Sequence, residues 1–184
     1  MKIPFSRTVK NMSITAIMKM YINSVSKKWA LSNTKKSILA YEWFDMKKNY
    51  LPINVKDKVI LDVGAGEGET ALFYILHGAK GVICVEPDKK CFNNLILNSR
   101  QFNIFPFLQP FDIDMLSYFE FDFMKCDIEG YEEVLLNVEL EHPSVIEVHG
   151  LQLRDKFKEK GYRMGKRYGE KYLPYSTTYA FWKC

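Results

Sequence analysis

Apolar residues recur along this chain at two different rhythms, and the change between them divides it. Over residues 13–31 (SITAIMKMYINSVSKKWAL), Ile14, Ile17, Met18, Tyr21, Val25 and Trp29 stand at steps of three or four. That spacing lines one face of a helix, and Ser13 can cap its first turn. Ser32-Asn33-Thr34 breaks the pattern, and a second helix carrying Ile38, Tyr41, Trp43 and Phe44 runs towards Tyr50. Leu51-Pro52-Ile53-Asn54 reads as a connection. From residue 58 short apolar runs alternate with helical stretches. The runs predict strands at 59–63, 81–85, 104–108, 121–126 and 144–148. Helices are predicted at 69–77, 89–100, 115–119, 131–138 and 151–160, and 162–167 with 177–182 read as a closing antiparallel pair. Continuous apolar runs interleaved with helices indicate a doubly wound, mostly parallel sheet with helices on both faces. The chain therefore divides into a helical segment, residues 1–52, and a main α/β domain, residues 53–184.

At 184 residues, 47% hydrophobic and 26% charged, the chain suits a soluble globular protein with one sizeable core. No apolar run approaches the roughly 18–20 residues of a membrane span, and the N-terminus has no secretory pattern. Cys84, Cys91, Cys126 and Cys184 are scattered, without the spacing of zinc ligands or a redox pair. Cys84 and Cys126 sit in apolar runs, as small buried hydrophobes do. The expectation is a cytoplasmic protein with reduced cysteines. The net charge of +4 conceals a segregation, with +9 over residues 1–58, −11 over 59–149 and +6 over 150–184. The basic arm is read first as a solvated helical cap docked on the acidic body. Its alternative is a contact with nucleic acid or a membrane surface.

Candidate chemistry begins at VILDVGAGEG, where a strand containing Asp62 runs into Gly64, Gly66 and Gly68. Glycine permits φ > 0 and lets a ligand approach the backbone. The turn also follows a parallel strand, where open α/β sheets bind ligands. A dinucleotide fingerprint would need glycine at position 69, which is Glu69, and no P-loop Gly-Lys-Ser/Thr is present. Glu67 and Glu69 place negative charge where a pyrophosphate would lie. A ligand without phosphates and with a positive centre fits better. Glu86 ends the second strand, 18 residues beyond Gly68, where a carboxylate can accept from both hydroxyls of a ribose.

These residues resemble the class I S-adenosylmethionine-dependent methyltransferases and, more narrowly, the FkbM family. VILDVGAGEG is similar to the family's first motif, and CVEPD with Asn98 to its Glu-Pro segment and the helix after it. MKCDIEGYE (Met124–Glu132) resembles the Lys-x-Asp-x-Glu-Gly-x-Glu signature, and VIEVHG (Val145–Gly150) the Glu-Val-His strand. The resemblance covers roughly residues 58–184; residues 1–50 carry no part of it. It implies a Rossmann-like, seven-stranded sheet that binds S-adenosylmethionine over its first two strands. It also implies O-methylation of a sugar or another small hydroxylated molecule. Carried across, Gly64, Ala65 and Gly66 line the methionine part of the cofactor and Asp62 steadies their loop. Glu86 holds the ribose, and Asp112 accepts from the adenine amino group.

Methyl transfer needs a nucleophile in line with the sulfonium, and an alcohol must also lose its proton. Asp127 and Glu129 follow the fourth strand, and Glu147 and His149 lie on the fifth; strand alternation projects each pair to one side. Asp127, Glu129 and His149 are the candidate catalytic residues, with either a carboxylate or the imidazole as base. No metal is assigned, because Asp-x-Glu spacing is too common to specify one. Two other readings stand beside this one. One is an RNA methyltransferase that holds phosphates with the basic arm, although Asp127-Ile-Glu-Gly lacks the Pro-Pro-aromatic run of base-amino enzymes. The other is a non-catalytic protein that only binds S-adenosylmethionine.

Overall fold

Each apolar run that reads as a strand forms one in the computed structural model, which describes residues 20–21, 24, 28–167 and 178–183. The strands are β1 (Val59–Val63), β2 (Gly81–Val85), β3 (Ile104–Phe107), β4 (Phe123–Cys126) and β5 (Ser144–His149), then β6 (Arg163–Arg167) and β7 (Thr178–Lys183). They form one seven-stranded sheet in the order β3-β2-β1-β4-β5-β7-β6. β1 pairs in parallel with both β2 and β4, and β3 and β5 extend the parallel set outwards. β7 runs antiparallel to β5 and β6. The chain thus winds away from β1 in both directions. The carboxyl ends of β1 and β4 flank the point where a ligand crevice opens in such sheets.

Alternation along these strands decides what faces that crevice. Ile60, Phe123 and Val145 join one core cluster, under α1 (Asn33–Asn49) and α2 (Glu69–Leu76). Leu61, Val63, Met124, Cys126, Ile146 and Val148 join the cluster on the opposite face, against α5 (Leu151–Glu159). Period two therefore carries Asp62, Lys125, Glu147 and His149 onto the α1 side of the sheet. α3 (Lys89–Ser99) follows β2, with Asp88 accepting from the Cys91 amide at 2.7 Å as its N-cap.

α1 starts at Ser32, whose hydroxyl accepts from the Lys35 amide at 3.2 Å. Leu39, Ala40, Trp43 and Met46 are buried in the same cluster as Phe73 and Tyr74 of α2. The Trp43 ring meets Phe73 edge-on at 5.2 Å, a geometry worth about 0.5–1.5 kcal/mol beyond burial. Trp182 on β7 donates its indole N–H to the Asn49 carbonyl. Of the helix expected over 13–31, residues 20, 21 and 24 are helical, and the rest up to residue 27, with Ser13, lies outside the described residues.

One other element differs from the sequence reading. The segment expected as a helix over 131–138 forms a 3-10 helix, Glu132–Asn137. Glu132 turns its side chain back to the amides of Ile128 and Gly130, and Val138 is already extended. Six residues held at both ends favour the tighter winding. The short helix expected near 115–119 forms as a single turn, α4 (Met115–Tyr118). Among the described residues no helix is long and apolar enough to cross a membrane. Cys84 and Cys126 are buried free thiols.

Candidate functional site

Where β1 ends, the chain turns through three glycines with φ of 73° (Gly64), 57° (Gly66) and 93° (Gly68). Gly64 is required by contact as well as by conformation. A Cβ on it would stand 1.7 Å from the Asp127 carbonyl oxygen, so a side chain would push the ends of β1 and β4 apart. The Gly64 and Ala65 amides both donate to the Val85 carbonyl. Glu86 braces the turn from β2: Oε2 accepts from the Gly66 amide at 2.8 Å and Oε1 from the Asp88 amide at 2.7 Å.

Beneath this turn lies a buried polar layer. The Lys125 ammonium, buried on β4, donates to the Gly64 carbonyl at 2.9 Å and lies 3.1 Å from Asp62 Oδ1. Asp62 Oδ2 accepts from the Thr70 hydroxyl at 2.7 Å. Burial works against the charge on Lys125, but Asp62, Asp127 and Glu147 outweigh it and hold the pKa above the ordinary lysine value.

Above it opens a cavity of about 510 Å³, within the range of small-ligand sites. Gly64, Gly66 and Glu86 line one side, and Asp127, Glu147 and His149 another. The opposite wall is α1, through Lys35, Ile38, Glu42 and Met46, with Tyr50 just beyond its end. Three contacts seat α1 there. The Ser32 amide donates to Glu67 Oε2 and Lys35 pairs with Glu69, both at 2.5 Å, while the Tyr50 hydroxyl donates to Glu147 Oε2.

His149 sits at the centre of the carboxylates. Its Nδ1 is 2.9 Å from Oε1 of the buried Glu132. Its Nε2 lies 3.8 Å from Asp127, 3.7 Å from Glu129 and 4.0 Å from Glu147. The bond to Glu132 lifts the imidazole pKa to about 9, with burial opposing and the other acids adding. Glu132 goes the other way, because its bonds to His149 and the Gly130 amide overcome the effect of burial. Burial, and then repulsion from Asp127, raises Glu147 to about 8. His149 therefore carries its proton at neutral pH, and an imidazole that does so is a donor rather than a ready base.

The sequence-derived candidates separate accordingly. Asp127, Glu129 and His149 come together with Gly64, Gly66 and Glu86 around one cavity. Asp62 lies under its floor, and Ala65 turns into the core cluster beneath α1. Asp112 is exposed and outside the cavity lining; its Oδ1 accepts from the Asp114 amide at 3.0 Å in a local turn. Lys125, Glu132 and Tyr50 received no role from the sequence. A lysine inside the apolar run FMKC was a readable signal for the first. Tyr50 carried none, since it meets a residue 97 positions away.

No family model matches the sequence, and no curated protein matches it. Solved structures do resemble the fold. Aeropyrum pernix fibrillarin, in complex with natively bound S-adenosyl-L-methionine, is 14% identical; the match covers 74% of this chain and 71% of that one, with a TM-score of 0.57. A ribosomal protein L11 methylase from Lactobacillus delbrueckii subsp. bulgaricus is 19% identical over 74% of each chain, at 0.52. A dimethyladenosine transferase from Plasmodium falciparum is 12% identical, covering 76% of this chain and 59% of that one, at 0.55. The chain shares with them the Rossmann-like fold of the class I methyltransferases.

Proposed function

We propose that this protein is an S-adenosylmethionine-dependent methyltransferase that methylates a hydroxyl of a sugar or another small molecule, in the manner of the FkbM family. The observation that carries the reading is the cavity at the ends of β1 and β4, which joins a left-handed glycine floor to a ring of carboxylates. Such a ring suits a cationic ligand and repels phosphates. Its lysines, Lys35 and Lys125, are each paired with an acid. The likeness in fold to methyltransferases, one holding S-adenosylmethionine, supports the same reading.

When bound, S-adenosylmethionine supplies a methyl group on a positively charged sulfur. The Gly64–Gly66 backbone receives its methionine part, and Glu86 its ribose. Each Glu86 oxygen accepts one backbone amide and keeps a lone pair for a hydroxyl. Asp127 favours the positive charge. Asp127 and Glu129 orient the acceptor hydroxyl, whose proton passes to the exposed Glu129 carboxylate and on to water. His149, charged and anchored by Glu132, donates to the acceptor. Asp112 takes no part. α1 closes the cavity from above and so acts as a cap that shapes the acceptor's entry.

RNA as acceptor is a second reading, favoured by the +9 charge over residues 1–58. Incubation with radiolabelled S-adenosylmethionine and cell extract, then separation into RNA, lipid and polysaccharide, distinguishes the two. Label in polysaccharide or small glycans is the expected result. Label confined to RNA, with uptake falling steeply with salt, would replace the small-molecule reading.

A further inference from the structure

Three side chains at the strand ends each commit one polar atom to the protein and leave another directed at the same point. Asp127 presents Oδ2 to Lys125 at 3.8 Å, while its Oδ1 is occluded and has no hydrogen-bond partner among the described residues. Glu147, buried, takes the Tyr50 hydroxyl on Oε2 and keeps Oε1 towards His149. His149 gives Nδ1 to Glu132 and keeps Nε2. Nε2 is 3.8 Å from Asp127 Oδ1 and 4.0 Å from Glu147 Oε1, and one ligand atom from each residue lies within 4.8 Å of the others. The centre of such a triangle is about 2.4 Å from each corner. That lies in the calcium–oxygen range, and a few tenths of an ångström of closure would suit magnesium.

We propose that Asp127, Glu147 and His149 bind a divalent cation, and that the acceptor's oxygen is its further ligand. The second clause rests on the methyltransferase reading; the first does not. Each donor is already oriented by an outer partner, Lys125, Tyr50 or Glu132, as metal ligands characteristically are. A carboxylate held to imidazole through one ring nitrogen leaves the other nitrogen as the ligand. Two carboxylates with one imidazole suit manganese and its neighbours, which accept both donor types. A ligating imidazole is neutral, so binding of the ion displaces the His149 Nε2 proton to solvent. A ligated hydroxyl becomes more acidic. The acceptor oxygen then bonds to the methyl carbon, the carbon–sulfur bond breaks with its electron pair left on sulfur, and the proton leaves to Glu129. The acceptor class narrows to molecules whose oxygen can bind a hard cation.

The test is titration of the full chain with Mn2+ alone, followed by loss of the free-ion paramagnetic resonance signal and by calorimetry. One ion per chain is expected, displaceable by Mg2+ or Ca2+. Asp127→Asn, Glu147→Gln and His149→Ala should each weaken it at least tenfold, and Glu132→Gln about tenfold through the imidazole it orients. Glu133→Gln, on an exposed carboxylate paired with Lys156, should leave it unchanged. Melting curves followed by circular dichroism establish that each variant is folded. S-adenosylmethionine binding measured on the same samples separates the two readings: cofactor uptake without manganese uptake overturns the cation alone, and manganese uptake without cofactor uptake upholds it. No saturable uptake, or uptake indifferent to all three substitutions in folded protein, overturns the proposal.

Discussion

Two polar clusters lie one layer apart at the same strand ends, and they differ in what their charged groups face. In the lower one, Asp62, Lys125 and Thr70 are buried and direct their polar groups at one another and at the Gly64 carbonyl. In the upper one, Asp127, Glu147 and His149 each satisfy one atom and leave another facing the cavity. Charges that close inward act as a staple, holding β1 to β4 so that the glycine turn keeps its shape. Charges left half-satisfied at a cavity wall are available to something that arrives. The same residue types, on the same face of the same sheet, thus serve structure below and binding above.

Breaking the lower cluster should have the largest effect on stability. Lys125→Met removes the only cation within bonding distance of Asp62 among the described residues and leaves a buried carboxylate with the Thr70 hydroxyl as its remaining partner. Denaturant unfolding should show a loss of about 3–5 kcal/mol. A loss below about 1 kcal/mol would mean that the layer is not a staple. At the junction of the two layers, Glu86→Ala should weaken cofactor binding by about 1.5–3 kcal/mol, the range for hydrogen bonds to a charged group. Unchanged affinity in a folded variant would remove the ribose assignment. In the upper cluster, Asp127→Asn keeps size and removes charge, so stability should change by less than about 1 kcal/mol while most turnover on an identified acceptor is lost. Normal turnover by both Asp127→Asn and Glu129→Gln would reduce these acids to supports of the loop.

The sheet was legible because buried parallel strands are written as apolar runs. VILDV, GVICV and SVIEV could be read without knowing their neighbours. The glycine turn and Glu86 were legible because a backbone conformation and a strand end dictate their residue types. The state of His149 was not. Its charge depends on Glu132, a residue 17 positions earlier that returns on a 3-10 helix where an α-helix was expected. The wall formed by α1 was equally hidden. Helical periodicity shows that a face will be buried, but not that Lys35 and Tyr50 will stand over a glycine turn from another part of the chain. Contacts that span long separations carry no local signature, and those contacts finish this site.

The most direct test of the account is calorimetric titration of the full chain with S-adenosylmethionine, S-adenosylhomocysteine and NAD in parallel. One saturable site is expected for each of the first two, weakened by Glu86→Ala, and no binding of NAD, whose pyrophosphate would meet Glu69 beside the glycine turn. Binding of NAD with indifference to both S-adenosyl compounds would contradict this expectation.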